Sequence, residues 1–107
     1  MVRAARAAIL ENIGAERPYS RTRPLTVTDI ELAEPGPGEL LVRIVRAGIC
    51  HSDLSVVNGS RPRPTPMALG HEAAAEVVEI GPGTDDLAAG DHVVLTFLPS
   101  CGNCAEC

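Results

Sequence analysis

Tryptophan and lysine are absent from this 107-residue chain, and Tyr19 and Phe97 are its only aromatic side chains. A core built on stacked rings is thereby excluded, so Val, Leu, Ile and Ala must do the packing. A long hydrophobic run is also missing: no stretch approaches the ~18–20 apolar residues that a membrane-crossing helix needs. Arg3 and Arg6 precede only a short apolar run, 7–10, before Glu11, too short for a secretory signal. The formal net charge is −5, and all nine basic residues are arginine. No clustered basic face of the kind that neutralises phosphates is visible, which argues against nucleic acid as a partner. The expectation is a soluble, cytoplasmic protein that touches neither membrane nor nucleic acid.

A further absence concerns nucleotides. A dinucleotide fold needs Gly-x-Gly-x-x-Gly between a strand and a helix. Gly36-Pro37-Gly38 and Gly81-Pro82-Gly83 both lack the third glycine, and their central prolines lack the N–H that a phosphate cradle uses. They are turns, and the chain carries no nucleotide-binding fingerprint.

What is present suits one domain, 1–107, with no room for a second. A chain this size buries roughly 60–70% of the surface its unfolded form exposes. The hydrophobic fraction of 45% is that of an ordinary globular protein. Turn signals recur at short intervals, at 35–38, Asn58-Gly59, 81–83 and Ala89-Gly90-Asp91, with short apolar runs between them. That is the layout of an all-β barrel or sandwich rather than of βαβ units. Strands are expected over 5–10, 25–32 with a bulge or bend near Asp29, 40–49 as a central strand, 74–80 and 93–98. A short helix is expected over 52–58, with Ser52 as its N-cap and Gly59 as its stop. Residues 61–66, with three prolines, must be an extended loop.

The cysteines carry the chemistry. Cys101, Cys104 and Cys107 crowd into the last seven residues, which favours a metal over disulfides in a chain with no secretion signal. Structural zinc takes four closed ligands, whereas bacterial iron–sulfur clusters open with a similar triplet. From the triplet alone both metals stay open. Cys50, between a strand end and a short helix, sits where thiolate is favoured. His71, in Leu69-Gly70-His71-Glu72, stands at the mouth of another strand. Together they could supply two ligands of an open zinc site, with Asp53 and Glu72 placed to hold the imidazole from behind. Taken singly, a Cys is more often core filler and a His more often a satisfied polar group. A His-Glu-x-x-His protease site is excluded, because Ala75 occupies the second His position.

Gly48-Ile49-Cys50-His51-Ser52-Asp53, Leu69-Gly70-His71-Glu72 and the Cys-x-x-Cys-x-x-Cys run, in that order, resemble the zinc-containing medium-chain alcohol dehydrogenases. The separations fit as well: 21 residues from Cys50 to His71 and 30 from His71 to Cys101. The turn Pro35-Gly36-Pro37-Gly38-Glu39 and the Gly90-Asp91-His92-Val93 strand start are also similar to that family, and the likeness runs from about Ala5 to the last residue. The resemblance implies a mainly β, GroES-like barrel with short helices, and the start of a Cys-rich zinc lobe at its C-terminus. Cys50 and His71 would hold the catalytic zinc, while Cys101, Cys104 and Cys107 would be three of four structural-zinc ligands. Ser52 would take the alcohol proton, and His51 would face the pyrophosphate of NAD or NADP, whose own Rossmann domain is absent from these residues. The implied activity is oxidation of a small-molecule alcohol to an aldehyde or ketone by a homodimer or homotetramer when full length, with this fragment inactive.

Two positions depart from the family pattern. Ser55 stands where many members place a His that completes the proton exit, and Ala75 where a Gly is usual. Two other readings compete with the dehydrogenase: a non-catalytic zinc-binding domain, and an iron–sulfur electron-transfer module. The second leaves Cys50 and Gly70-His71-Glu72 unexplained.

Overall fold

The computed structural model describes residues 3–106. Strand β1 (Arg3–Leu10) leads through a one-turn helix α1 (Tyr19–Thr22) to β2 (Leu25–Leu32) and β3 (Leu40–Ala47). Helix α2 (His51–Val57) follows, then β4 (Met67–Ala68), β5 (Ala73–Ile80) and β6 (His92–Leu95). All pairings are antiparallel and build two three-stranded sheets, ordered β2-β1-β4 and β3-β5-β6. The mainly β expectation holds. The four-residue α1 and two-residue β4, too short for a periodicity to register, are additions to it.

Three strand expectations need correction, the simplest being that the strand expected over 93–98 ends at Leu95. The bulge expected near Asp29 is absent, since β1 and β2 pair without a break from Arg3 opposite Leu32 to Leu10 opposite Leu25. The phase change in β2 has another cause. Leu25 and Val27 lie on one face of the strand and stand exposed, while Ile30 and Leu32 lie on the other and are half-buried. Nor is the apolar stretch that opens at Leu40 central. β3 is an edge strand and ends at Ala47, and β5 takes the centre by pairing on both sides. The irregularities lie in β3, between Leu41 and Val42 and between Ile44 and Arg46. Bulges and outward arginines are devices that blunt a sheet edge. Arg43 meets its register partner Glu76 at 2.9 Å, an exposed pair that contributes little stability by itself.

The Ala-rich segment before Ile80 folds as strand β5, with Ala75 and Val77 buried. A second small core lies where α2 covers the end of β1. Leu10, Val56 and Val57 are buried there, with Ile13, Tyr19, Met67 and Leu69 packed around them. These cores are modest, as a chain with two aromatics requires. The accessible surface of 8061 Å² exceeds the ~5,700 Å² expected of a compact chain of this mass. Ile44, Val94, Phe97 and Leu98 are among the apolar side chains left exposed.

The two Gly-Pro-Gly turns lock the β3-β5 sheet at one end. Gly81 N–H donates to the Glu39 carbonyl at 2.8 Å, and Gly38 N–H donates to the Pro82 carbonyl at 3.3 Å. A Cβ on Gly81 would fall on the Gly36 carbonyl oxygen, so backbone meets backbone with no side chain able to yield. Gly81→Ala should therefore cost about 1–3 kcal/mol, the usual range for overpacking. In a chain of this size that lowers the melting temperature by at least about 4 °C. A variant that melts with the wild type would show that the turns do not interlock.

Candidate metal centre

Strand β3 delivers the chain through Gly48 and Ile49 to Cys50, which is the residue that caps α2. Cys50 keeps extended backbone angles, φ −128° and ψ 155°, while the helix proper begins at His51. Ser52 is therefore not the N-cap, as the hydroxyl preference for that position suggests. The capping carboxylate comes instead from Asp53, whose Oδ2 accepts the Cys50 N–H at 3.2 Å, while Asp53 N–H donates to the Cys50 carbonyl at 3.0 Å. This leaves the Ser52 hydroxyl free to turn to the thiol, with Oγ 3.5 Å from Cys50 Sγ.

His71 arrives from the other direction, two residues before β5 begins. Its Nδ1 lies 3.3 Å from Asp53 Oδ1, and both side chains are about one-fifth exposed (22% and 20%). One carboxylate thus fixes the backbone of Cys50 through one oxygen and the ring of His71 through the other. The thiol and the imidazole lie close enough to influence each other's protonation. The hydrogen bond to the Ser52 side chain, then the Ser52 backbone N–H, holds the Cys50 thiol below its ordinary range against the effect of burial, and His71 adds to the shift. The hydrogen bond to Asp53 raises the His71 imidazole above its ordinary value against desolvation, and Glu72 contributes charge in the same direction. A thiol biased toward thiolate beside an oriented imidazole is a soft S and N donor pair of the kind zinc accepts.

The remaining expected residues fall as follows. Glu72 does not take the second ring N–H; its carboxylate packs over Gly48, where a Cβ would come within 2.7 Å of Oε1. Gly48 N–H also donates to the Glu72 carbonyl at 3.3 Å, which ties the two linkers together. His51 is exposed, with Nδ1 3.5 Å from Ser55 Oγ. Cys101 and Cys104 are exposed, with sulfurs 3.4 Å apart, and Asn103 N–H donates to Cys101 Sγ at 3.3 Å. Cys107 lies outside the described residues. Among the described residues no group of three or more His, Cys, Asp or Glu converges as a complete metal cage. No helix among them is long and apolar enough to cross a membrane.

Two features escaped sequence reasoning. Phe97 stands edge-on to His71, with ring centroids 6.2 Å apart and planes at 79°. Its rarity as one of two aromatics was the available signal. A cavity of about 560 Å³ also opens beside Cys50, walled mainly by Tyr19, Leu25, Ile49, Leu54 and Val57. Leu25 and Tyr19 come from the other sheet and from α1, so no local motif could announce this wall.

A mainly β domain that presents thiol and imidazole together beside strand ends has the architecture of a GroES-like barrel. The alcohol dehydrogenase GroES-like domain family matches residues 36–107. Alcohol dehydrogenase B of Mycobacterium tuberculosis is 46% identical over 86 residues, covering 79% of this chain and 23% of that protein. The S-(hydroxymethyl)glutathione dehydrogenase of Synechocystis is 38% identical over 104 residues, covering 96% of this chain and 26% of that protein. Among solved structures, an alcohol dehydrogenase zinc-binding domain protein from Burkholderia ambifaria superposes with a TM-score of 0.86 at 42% identity. That match covers 100% of this chain and 26% of the other. The chain belongs to the zinc-type medium-chain alcohol dehydrogenase family, in its N-terminal GroES-like region. It spans about a quarter of the length of the curated relatives it matches.

Replacing Asp53 with Ala removes the acceptor for the Cys50 N–H and should cost about 0.5–2 kcal/mol, the range for losing a helix cap. Urea unfolding reads this directly. An unchanged midpoint would show that the carboxylate does not hold α2 to the thiol in solution.

Proposed function

We propose that this chain is the zinc-binding catalytic part of an NAD- or NADP-dependent alcohol dehydrogenase. The reaction converts an alcohol to an aldehyde or ketone. The observation that supports it most is the pairing of Cys50 and His71 through Asp53, which joins two segments far apart in sequence around one S and N donor set. These donors suit zinc, and two protein ligands leave positions for a third ligand and for substrate. Zinc held there would supply Lewis acidity to the alcohol oxygen, lowering its pKa. Ser52 Oγ, beside the thiol, would receive the alcohol proton and pass it toward solvent. Exposed His51, at the start of α2, would contact the pyrophosphate of the nicotinamide cofactor. A nicotinamide cofactor would supply the hydride acceptor, and these residues contain no binding fingerprint for it. Asp53 would keep the imidazole in the tautomer and orientation that ligation requires, and Glu72 would support the Gly48 linker.

Cys101, Cys104 and Cys107 would contribute to a second, structural zinc rather than to an iron–sulfur cluster. A zinc protein is colourless, so visible absorbance from iron–sulfur charge transfer would overturn this assignment. In its full-length form the enzyme would be a cytoplasmic homodimer or homotetramer. The 107-residue chain alone, with two catalytic ligands among its described residues, is expected to bind zinc without turning over alcohol.

Metal titration against a chromogenic chelator tests the site. Cys50→Ala and His71→Ala should each abolish the site that they share, and Asp53→Asn should weaken it about 10–100-fold. Zinc stoichiometry unaltered by Cys50→Ala would sink the proposal. In a full-length enzyme carrying this segment, Ser52→Ala should lower turnover by about 10²–10⁴-fold, the usual contribution of a positioned proton acceptor. Turnover unchanged across pH would remove Ser52 from the mechanism.

A further inference from the structure

The cavity of about 560 Å³ beside Cys50 lies between α1, the start of β2 and α2, and Tyr19, Leu25, Leu54 and Val57 give it apolar walls. Arg23 lines the same cavity. It closes α1 with left-handed backbone angles, φ 49° and ψ 64°, and its N–H donates to the Tyr19 carbonyl at 2.8 Å. Among the described residues no other non-glycine residue has a positive φ. Glycine suits such a position best, so the backbone alone gives no reason for a long cationic side chain there. Arg17 lies over the Tyr19 ring, 5.7 Å from its centroid, whereas Arg23 forms no ion pair or side-chain hydrogen bond among the described residues. Residues 17–24 hold three arginines and no acid, a positive segment in a chain of net charge −5. Asp53 also lines the cavity, but its carboxylate is engaged by Cys50 and His71.

Resting on the dehydrogenase function above, we propose that this cavity takes an amphipathic alcohol whose far end is a carboxylate, recognised by Arg23. The hydroxyl of such a substrate lies toward Cys50, its methylene chain against Tyr19, Leu25, Leu54 and Val57, and its anion on the Arg23 guanidinium. A cavity of this volume falls within the ~300–1,000 Å³ usual for ligand sites and holds far more than a two-carbon alcohol. Apolar walls bind a methylene chain whatever its ends carry. An unpaired guanidinium adds a planar fork of N–H donors that matches a carboxylate. Arg23 is thus a specificity-determining residue, selecting hydroxy acids over neutral alcohols of equal length.

Titrating the 107-residue chain with a chelator present reads this cavity without zinc or turnover, so failure here is distinct from failure of the dehydrogenase function. Tyr19 is the only tyrosine, and its ring NMR resonances report the cavity directly. 6-Hydroxyhexanoate should shift them and bind about fivefold more tightly than 1-hexanol, the upper end for an exposed ion pair. The net negative charge of the chain opposes that preference, which must therefore come from a local cation. Each methylene removed from the hydroxy acid should weaken binding about two- to fourfold. Arg23→Gly, which suits the left-handed backbone and so keeps the fold, should bring the two probes to equal affinity. Arg23→Lys should keep part of the preference. Equal affinities in the wild type, a preference that survives Arg23→Gly, or Tyr19 resonances that neither probe moves would overturn the proposal.

Discussion

The Asp53 carboxylate is the constraint on which the candidate centre depends. A metal site assembled from separate strand ends must hold its donors within a few tenths of an ångström, while each donor stands on a linker outside regular structure. Asp53 meets this need because it belongs to α2, which is itself anchored by Val56 and Val57 against Leu10 of β1. Its Oδ2 fixes the backbone at Cys50 and its Oδ1 fixes the ring of His71. The same carboxylate therefore caps a helix, orients an imidazole and biases its protonation. Loss of any one of these contacts would loosen the others, because they share a single rigid group.

The rest of the fold serves that arrangement with little material. Without tryptophan and with two aromatics, the chain builds two small cores in place of a large one. Order at the far end of the β3-β5 sheet comes from backbone hydrogen bonds between two glycine turns rather than from side-chain packing. Arg3 reaches across to Glu79 at 2.6 Å and links the two sheets, though both side chains are about half exposed and the pair is screened. The surface left over is large and partly apolar. That agrees with a segment spanning about a quarter of its relatives' length.

Much of this was legible in the sequence. The glycine and proline punctuation located nearly every turn, and Cys50 and His71 stood out as candidate donors by motif and spacing. The errors had physical causes. The apolar stretch from Leu40 resembled a central strand because composition does not reveal which neighbours a strand pairs with; its arginines were the better signal. Ser52 resembled the N-cap because hydroxyls favour that position, but the chain begins its helix one residue after Cys50 and uses the side chain of Asp53 instead. Glu72 and Asp53 were indistinguishable as partners of His71, since both are acidic and near a ligand. Only the relative placement of α2 and the approach to β5 separated them.

By itself the sequence determined which donor atoms are available, where the turns fall, that the strands dominate, and that no nucleotide-binding fingerprint lies within these residues. Those properties are local: they depend on residue type, on spacing and on the conformations that glycine and proline permit. Tertiary structure decided which sulfur meets which nitrogen, which carboxylate stands behind the imidazole, and that Phe97, Tyr19 and Leu25 border the centre. Those properties depend on sheet order and on the packing of α2 against β1. They arise between segments that only the folded chain brings into contact.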